Sequence, residues 1–265
     1  VGLGAVVFGE LTHTLHLPPL PAAAATLAMS SMCGALNGWL VAYRQLPPLI
    51  VTLGTLSLFR GIAEAITRGT KTYRDFTPSF LGMSDWSIAG VPMQALLLLC
   101  VAGVIFLVVH QTIAGPQLRA CGFSPEGAIY AGVPSKRRIS GTYRFSGFIA
   151  GTCAILLTSR LHQARPDAGT GYELAAITAV VLGGSSIFGG KGTVLGTLLG
   201  IAAIALLNNG VGRIPAILKM GIGNELGSLL TGALLLVALT AGNIHRLSLF
   251  RKDNRPQSLT QNPPP

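Results

Sequence analysis

Charged residues are scarce in this sequence. Asp, Glu, Lys and Arg make up 11% of its 265 residues, whereas soluble domains contain about 25%. Hydrophobic residues make up 50%, and the mean hydropathy is +0.58. Because so few charges cannot cover a surface that faces water, the composition excludes an ordinary soluble domain and predicts an all-α, polytopic bundle of membrane helices with short or broken members.

Residues that could carry out chemistry are also sparse. Cys33, Cys100 and Cys153 lie inside apolar runs, which indicates free thiols rather than a disulfide framework. The histidines are scattered without the spacing of metal ligands. No nucleophile, base and orienting residue are grouped. We therefore expect no catalytic residue, no metal and no cofactor. The net charge of +10 is spread over short loops, so it predicts membrane topology and not nucleic-acid binding.

One glycine-rich stretch, GGSSIFGGKGT at 183–193, looks at first like a phosphate-binding loop. That motif needs a lysine directly after its second glycine, followed by Ser or Thr. Here Gly190 occupies the lysine position, and Lys191 comes one residue late and precedes Gly192. We therefore interpret the stretch as a cytoplasmic turn that does not bind nucleotide. It is either a simple tight turn or a break that marks a translocation path.

Apolar runs of about 20 residues predict the membrane spans. Residues 1–9 are the end of one span. Whole spans are predicted at 21–43, 47–66, 94–113, 141–158, 172–187, 193–207 and 225–241. Residues 1–245 would form one transmembrane domain, and the polar, proline-rich residues 246–265 a disordered cytoplasmic tail.

Lys and Arg residues in the loops predict the orientation of the chain, because cytoplasmic loops are enriched in them. Alternating spans place ten of these residues on one face and seven on the other. The first face therefore becomes the cytoplasmic one. It holds the loop 114–140, the glycine-rich turn and the C-terminus.

The loop 114–140 contains a short helix signal, SPEGAIYAG. Ser124 is suited to cap the helix, Pro125 to its first position and Glu126 to its first turn. Gly132 would end it. The apolar residues Ala128, Ile129 and Ala131 would either dock into a groove of another protein or rest on the membrane side of this chain.

Five stretches resemble the permease subunits of sugar ABC importers, the ribose, xylose and arabinose type. They are ALNGWLVAY, LPPLIVTLGTLSLFRGI, GFSPEGAIYAGV, GTGYELAAITAVVLGGSSIFGGKGTVLGTLLG and LLNNGV, in the order of the family. Gly127 and the RIPA run at 213–216 look more like the autoinducer and rhamnose branches. The chain departs from the family pattern at Ser124, where Asn is usual, at Gly127, where Ala is usual, and at Gly115–Pro116, where a Gly-Arg pair is common.

This resemblance implies a permease that moves a sugar or sugar-like solute across the bacterial inner membrane, with a cytoplasmic C-terminus. Its partners would be a cytoplasmic ATP-binding subunit, a periplasmic sugar-binding protein, a second permease subunit of the same or another kind, and membrane lipid. The permease itself would not be an enzyme. Coupling to the ATPase is assigned to Gly122, Ser124, Pro125, Glu126, Gly127, Ala128 and Gly132. Because Val1 aligns inside a family motif, we also expect that N-terminal spans of the family pattern precede this stretch.

Polar residues in or beside the spans are candidates for the translocation pathway: Asn37, Thr52, Glu173, Asn208 and Asn209. For most of them, a purely structural role remains open. Glu173 also suits a helix start, the Asn208–Asn209 pair a helix end, and Asn37 a hydrogen bond between helices. Arg60 and Glu64 are spaced to form an ion pair.

Rival functions remain at this point. A branched-chain amino-acid permease has related motifs, although the sugar-type landmarks argue against it. A secondary transporter would need no coupling helix and would be expected to carry ionisable residues within its spans. A membrane enzyme would need clustered acid, base or metal-binding side chains.

Overall fold

The structure is a computed structural model that describes residues 1–218 other than 70, 89, 187 and 188, together with residues 232 and 233. Within that part, the all-α expectation is confirmed. That part contains ten α-helices and one small antiparallel hairpin of β1 and β2. Their order is α1 (Gly2–His13), α2 (Pro19–Ala42), α3 (Pro48–Thr67), α4 (Pro78–Asp85), β1 (Ser87–Ile88), β2 (Val91–Pro92), α5 (Met93–Gln111), α6 (Ala114–Phe123), α7 (Pro125–Tyr130), α8 (Ser135–Leu161), α9 (Tyr172–Leu182) and α10 (Val194–Leu218).

Prolines mark the start of four helices. They occupy the first turn of α2, α3, α4 and α7, where the missing N–H costs no hydrogen bond. The predicted spans 21–43, 47–66 and 94–113 agree with α2, α3 and α5 within two residues. These three are the described helices that are both long and apolar enough to cross a membrane. The predicted span 141–158 lies inside the longer helix α8.

The last predicted helix boundaries need correction. The span 193–207 continues through the Asn208–Asn209 pair, because α10 extends to Leu218. Asn209 Nδ2 donates to the carbonyl of Ala205, 2.9 Å away and one turn back. The side-chain amide of Asn209 therefore bonds within the helix, and the helix does not end at this residue. The predicted span 225–241 lies outside the described residues except for 232 and 233, and the tail 246–265 lies wholly outside them.

Helix α9 ends at Leu182, five residues before its predicted end. Gly184 adopts a left-handed φ of +82°. Its N–H donates to Val181 O at 2.9 Å, and the Ser185 N–H donates to Val180 O at 3.1 Å. These two bonds form a Schellman motif, for which glycine is the favoured residue.

The chain forms two compact units. The first comprises Val1–Glu173 with Phe188–Val194, and the second comprises Leu174–Ile187 with Leu195–Pro265. In the first unit, α2 and α8 make the most extensive helix–helix contact. The buried residues of α2 recur at every fourth position, as one face of a helix requires: Ala22, Thr26, Ser30, Gly34, Gly38 and Ala42.

Glycines bring the backbones of α2 and α8 together. A Cβ added at Gly34 would lie 2.4 Å from Tyr143 O, and one added at Gly147 would lie 2.4 Å from Ser30 O. No side chain fits at these positions. Gly38 and Gly151 are equally restricted, with added Cβ atoms 2.8 Å from Ser140 O and from Ser30 Cβ, respectively. The pair therefore packs by direct backbone contact, as small residues permit in membrane helices.

The segment between α3 and α5 covers one end of the first unit. Tyr73 and Ala164 exchange two backbone hydrogen bonds of 3.1 and 2.9 Å. Ser159 Oγ donates to Phe80 O at 2.9 Å. The ring of Phe8 packs on those of Phe76 and Phe80, at centroid distances of 5.8 and 4.7 Å. The segment is thereby fixed to α1 and to the end of α8.

Tyr73 and Glu10 form a polar pair in the same region. The Tyr73 hydroxyl donates to Glu10 Oε2, and Lys71 Nζ lies 3.9 Å from the same oxygen. Burial and the neighbouring carboxylate raise the pKa of Tyr73 to about 12. The bond from Tyr73 in turn lowers the pKa of Glu10.

We expect Gly34→Ala to destabilise the protein by about 1–3 kcal/mol, because the added methyl overlaps the α8 backbone. Gly54→Ala is the matched control, since Gly54 lies in α3 with nothing within 4 Å of an added Cβ. The apparent melting temperature in detergent should fall for Gly34→Ala only. Equal melting temperatures for the two variants would contradict the packing described here.

We expect Tyr73→Phe to lower stability at pH 7 by about 1 kcal/mol, the usual value of one hydrogen bond. The folded pKa of Glu10 is below its ordinary 4.5, so this stabilisation is present above that value and is lost as the pH falls through the folded pKa. The melting difference between wild type and Tyr73→Phe should therefore shrink in acid. Tyr43→Phe is the control, because Tyr43 is 47% exposed. A difference that does not depend on pH would count against the Glu10 bond.

Candidate functional site

Two helices occupy the loop 114–140. The helix α7 was anticipated from the sequence, whereas α6 was not. Helix α6 is held against the start of α8 by tertiary contacts. Arg138 Nε donates to Gln117 Oε1 at 2.7 Å, and Cys121 Sγ lies 3.4 Å from Ser135 Oγ. Its N-cap residue is Ile113, which cannot cap a helix with its side chain, although Thr112 Oγ1 accepts from the Ala114 N–H at 3.2 Å. Local signals in the sequence therefore gave little indication of this helix.

Helix α7 begins as the sequence predicts. Ser124 Oγ accepts a hydrogen bond of 3.0 Å from the Gly127 N–H. Pro125 takes the first helical position, and Glu126 lies in the first turn. The cap satisfies one of the free N–H groups of the first turn, and the carboxylate favours the positive end of the helix dipole.

The other end of α7 is closed by Gly132, again as predicted. Gly132 has a φ of +77°. Its N–H donates to Ile129 O at 3.0 Å, and the Val133 N–H donates to Ala128 O at 2.9 Å. These bonds form a second Schellman motif. Because isolated helices this short are unstable in water, the caps at both ends explain why six residues hold a helix here.

The outward face of α7 agrees with the expected one at Ile129 and Ala131 and differs from it at Ala128. Ala128 is buried, with 4% of its surface exposed, so it packs inward against its own chain. The exposed large apolar residues are Phe123, the last residue of α6, at 66%, with Ile129 at 50% and Tyr130 at 92%. Together with the exposed Glu126 they form the α7 surface. Exposed aromatic residues beside a charge are typical of a protein-docking surface.

The glycine-rich turn packs against the residues that lead into α7. A Cβ added at Gly122 would lie 2.4 Å from Gly190 N, and one added at Gly189 would lie 2.6 Å from Gly122 O. A Cβ at Gly190 would lie 2.8 Å from the ring of Phe123. A phosphate cradle presents its N–H groups to a ligand, whereas the Gly190 backbone here faces protein.

In the second unit, α9 and α10 approach one another closely. A Cβ added at Gly183 would lie 2.3 Å from Gly196 O, and one added at Gly200 would lie 2.0 Å from Ala179 O. Only glycine fits at these crossings. The two helices therefore pack as a close pair.

The predicted pathway residues mostly bond within their own helices or at a helix start. Thr52 Oγ1 donates to Pro48 O at 2.9 Å. The carboxylate of Glu173 accepts from the Gly171 N–H at 3.2 and 3.1 Å, which supports its role as a helix cap. The side chain of Asn208 lies outside the described part of the structure, and Asn209 bonds one turn back as noted above.

Asn37 differs from these residues. Its Oδ1 is buried in α2 without a hydrogen-bond partner among the described residues. Such an oxygen is costly to leave unsatisfied. The predicted pair of Arg60 and Glu64 is confirmed, with 3.7 Å between Nε and Oε1, and Arg60 also donates to Thr170 Oγ1 at 2.6 Å.

Comparison with known proteins shows the family to which this chain belongs. The family described as "Branched-chain amino acid transport system / permease component" matches residues 1–239. The chain belongs to this permease family.

Individual relatives extend this assignment. The permease is 33% identical over 268 residues to the autoinducer 2 import system permease protein LsrD of Escherichia coli strain K12, of Shigella flexneri and of Escherichia coli O157:H7, and each alignment covers 97% of the chain and 79% of the relative. No solved structure matches. The resemblance stated from the sequence is therefore confirmed: this is a multi-pass permease subunit of an ATP-binding-cassette importer, similar to the autoinducer branch.

Ser124→Ala removes the side-chain cap of α7. We expect it to destabilise this helix by about 1 kcal/mol and to accelerate amide exchange of residues 127–133 about fivefold. Ser124→Asp keeps an acceptor at the cap, so its exchange should stay close to that of the wild type. Hydrogen–deuterium exchange of the detergent-solubilised permease measures both. Unchanged exchange in Ser124→Ala would show that the cap does not hold the helix.

Proposed function

We propose that this permease carries a sugar or sugar-like solute, of the chemical kind of autoinducer 2, into the cell. The observation that carries the proposal is its 33% identity, over 97% of the chain, to permeases of autoinducer 2 import systems. In this mechanism the chain provides a gated path and hydrolyses nothing. A separate cytoplasmic ATP-binding subunit supplies the energy, and a periplasmic binding protein delivers the solute.

The α7 surface is the proposed docking point for the ATP-binding subunit. Its support is structural: a short helix is capped at both ends, and Ile129 and Tyr130 on it stay exposed, as does Phe123 just before it. A helix that is capped at both ends stays folded when a partner binds to it and moves. The residues assigned to coupling thus divide into two roles. Gly122, Ser124, Pro125, Gly127, Ala128 and Gly132 build the helix and the segment that leads into it, whereas Glu126 faces outward.

The proposed orientation places α7, the glycine-rich turn and the C-terminus on the cytoplasmic side. It rests on the ten Lys and Arg residues of that face against seven on the other. The opposite face then carries the segment between α3 and α5 together with the end of α8. We assign delivery by the binding protein to that face. A second permease subunit would cover part of the exposed apolar surface of α3 and α5, and lipid the rest.

Within the proposed pathway, Asn37 has the strongest support. An amide oxygen buried in a span without a partner among the described residues is unfavourable. Separation of the surrounding helices during transport would let a passing hydroxyl group satisfy it. Glu173 has weaker support, because its carboxylate already accepts a backbone N–H. Thr52 and Asn209 bond to their own helices, so they would contribute to the pathway by shape more than by hydrogen bonds.

One other solute class has a specific observation in its favour. The matching family is described as a branched-chain amino acid transport permease. Uptake of labelled autoinducer 2, ribose and leucine into proteoliposomes therefore decides the class. The proteoliposomes contain the permease with its ATP-binding subunit and binding protein. Transport of autoinducer 2 or ribose supports the sugar proposal, and transport of leucine alone overturns it.

In the same proteoliposomes, Glu126→Arg should lower the solute moved per ATP about tenfold, equivalent to about 1.4 kcal/mol. The physical reason is that reversing an exposed charge on a docking surface repels a partner shaped for the original one. Asp253→Arg, in the tail predicted for the same face, makes the same charge change and should have no effect. Melting temperature reports whether each variant is folded. Unchanged transport per ATP in a folded Glu126→Arg variant would remove the docking assignment.

A further inference from the structure

The contact between the glycine-rich turn and the entry to α7 includes direct backbone contact at Gly122, and the ring of Phe123 packs on Gly190 beside it. Gly122 touches Gly189 and Gly190 backbone to backbone, since a Cβ at Gly122 would meet Gly190 N at 2.4 Å and one at Gly189 would meet Gly122 O at 2.6 Å. Side chains absorb small displacements by changing rotamer. Two backbones in van der Waals contact cannot do so, and packed protein is nearly incompressible.

Each side of this contact is continuous in the chain with a helix. On one side, Gly122 and Phe123 lead directly into Ser124, the cap of α7. On the other side, the turn joins α9 to α10. That pair is itself in direct backbone contact at Gly183 and at Gly200, so it is suited to move as one body.

We propose that Gly122, Gly189 and Gly190 are positioning residues that pass movement of α7 to the turn between α9 and α10, and through it to this helix pair. The proposal rests on the docking of the ATP-binding subunit at the α7 surface described above. The present proposal adds the route by which movement of that surface reaches two helices with candidate pathway residues. These are Glu173 at the start of α9, and Asn208 and Asn209 in α10.

The alternative is that the glycines only permit close packing. In that case a substitution would lower stability and would leave the ratio of solute moved to ATP hydrolysed unchanged in the molecules that fold. The ratio therefore separates a transmitting contact from a merely structural one. Binding of the ATP-binding subunit, measured by co-purification, separates loss of transmission from loss of docking.

The test compares matched glycine substitutions in the complete importer. Gly122→Ala introduces the overlap in a helix, and Gly141→Ala is its control, because Gly141 is helical with nothing within 4 Å. Gly190→Ala introduces the overlap at a left-handed φ of +78°, and Gly184→Ala at +82° has the same backbone strain with open space. Solute uptake, ATP hydrolysis and co-purification are measured for each variant.

We expect Gly122→Ala and Gly190→Ala to retain the ATP-binding subunit and to move about tenfold less solute per ATP. Both controls should keep the wild-type ratio. If the first two variants also keep that ratio while Glu126→Arg loses it, the transmitting contact is overturned and the docking assignment stands. If Glu126→Arg has no effect either, the docking assignment and the inference built on it both fail.

A second measurement needs no substitution, so it is informative even if a variant does not fold. ATP is added to the assembled wild-type importer, and amide exchange is followed at residues 122–130 and 189–193. The proposal requires exchange to change in both segments. A change at residues 122–130 with none at 189–193 would overturn it.

Discussion

Direct contact between helix backbones is the constraint on which this structure depends. In a bilayer, apolar side chains gain little by leaving lipid, so helices associate through close packing and not through burial of apolar surface. Gly34 and Gly147 allow α2 and α8 to approach until the carbonyls of one face the Cα atoms of the other. Direct backbone contact at glycines also joins α9 to α10, and it joins the glycine-rich turn to the entry of α7. Contacts of this kind tolerate no added methyl group, which explains where the chain places many of its 34 glycines.

The two faces of the first unit are built differently, and the difference suits a transporter. At one face, Tyr73 pairs with Ala164 and Phe8 packs between Phe76 and Phe80. Hydrogen bonds and ring contacts thereby fix the ends of several helices to the segment between α3 and α5. At the other face, α7 is held by its own caps and presents Tyr130 to the outside. A partner that engages this face meets a preformed helix, so little ordering entropy opposes docking.

Local chemistry explains which predictions succeeded. A proline at a helix start and a serine or glycine at a cap act through bonds within a few residues, so the bounds of α7 and the starts of α2 and α3 followed from sequence. The end of α10 did not, because Asn209 satisfies its amide inside the helix. Helix α6 was missed because its contacts, such as the one from Arg138 to Gln117, come from residues some twenty positions away.

The sequence by itself determined the class of protein, the positions of its main spans and its family. Hydropathy, caps and a motif order can each be detected without knowledge of the fold. Only the tertiary structure decided which side of α7 faces outward, that the buried oxygen of Asn37 meets no hydrogen-bond donor in the described part of the chain, and that Gly122 meets Gly190. These facts depend on which distant segments come together. A glycine looks the same in the sequence whether its missing side chain leaves space for another backbone or for nothing.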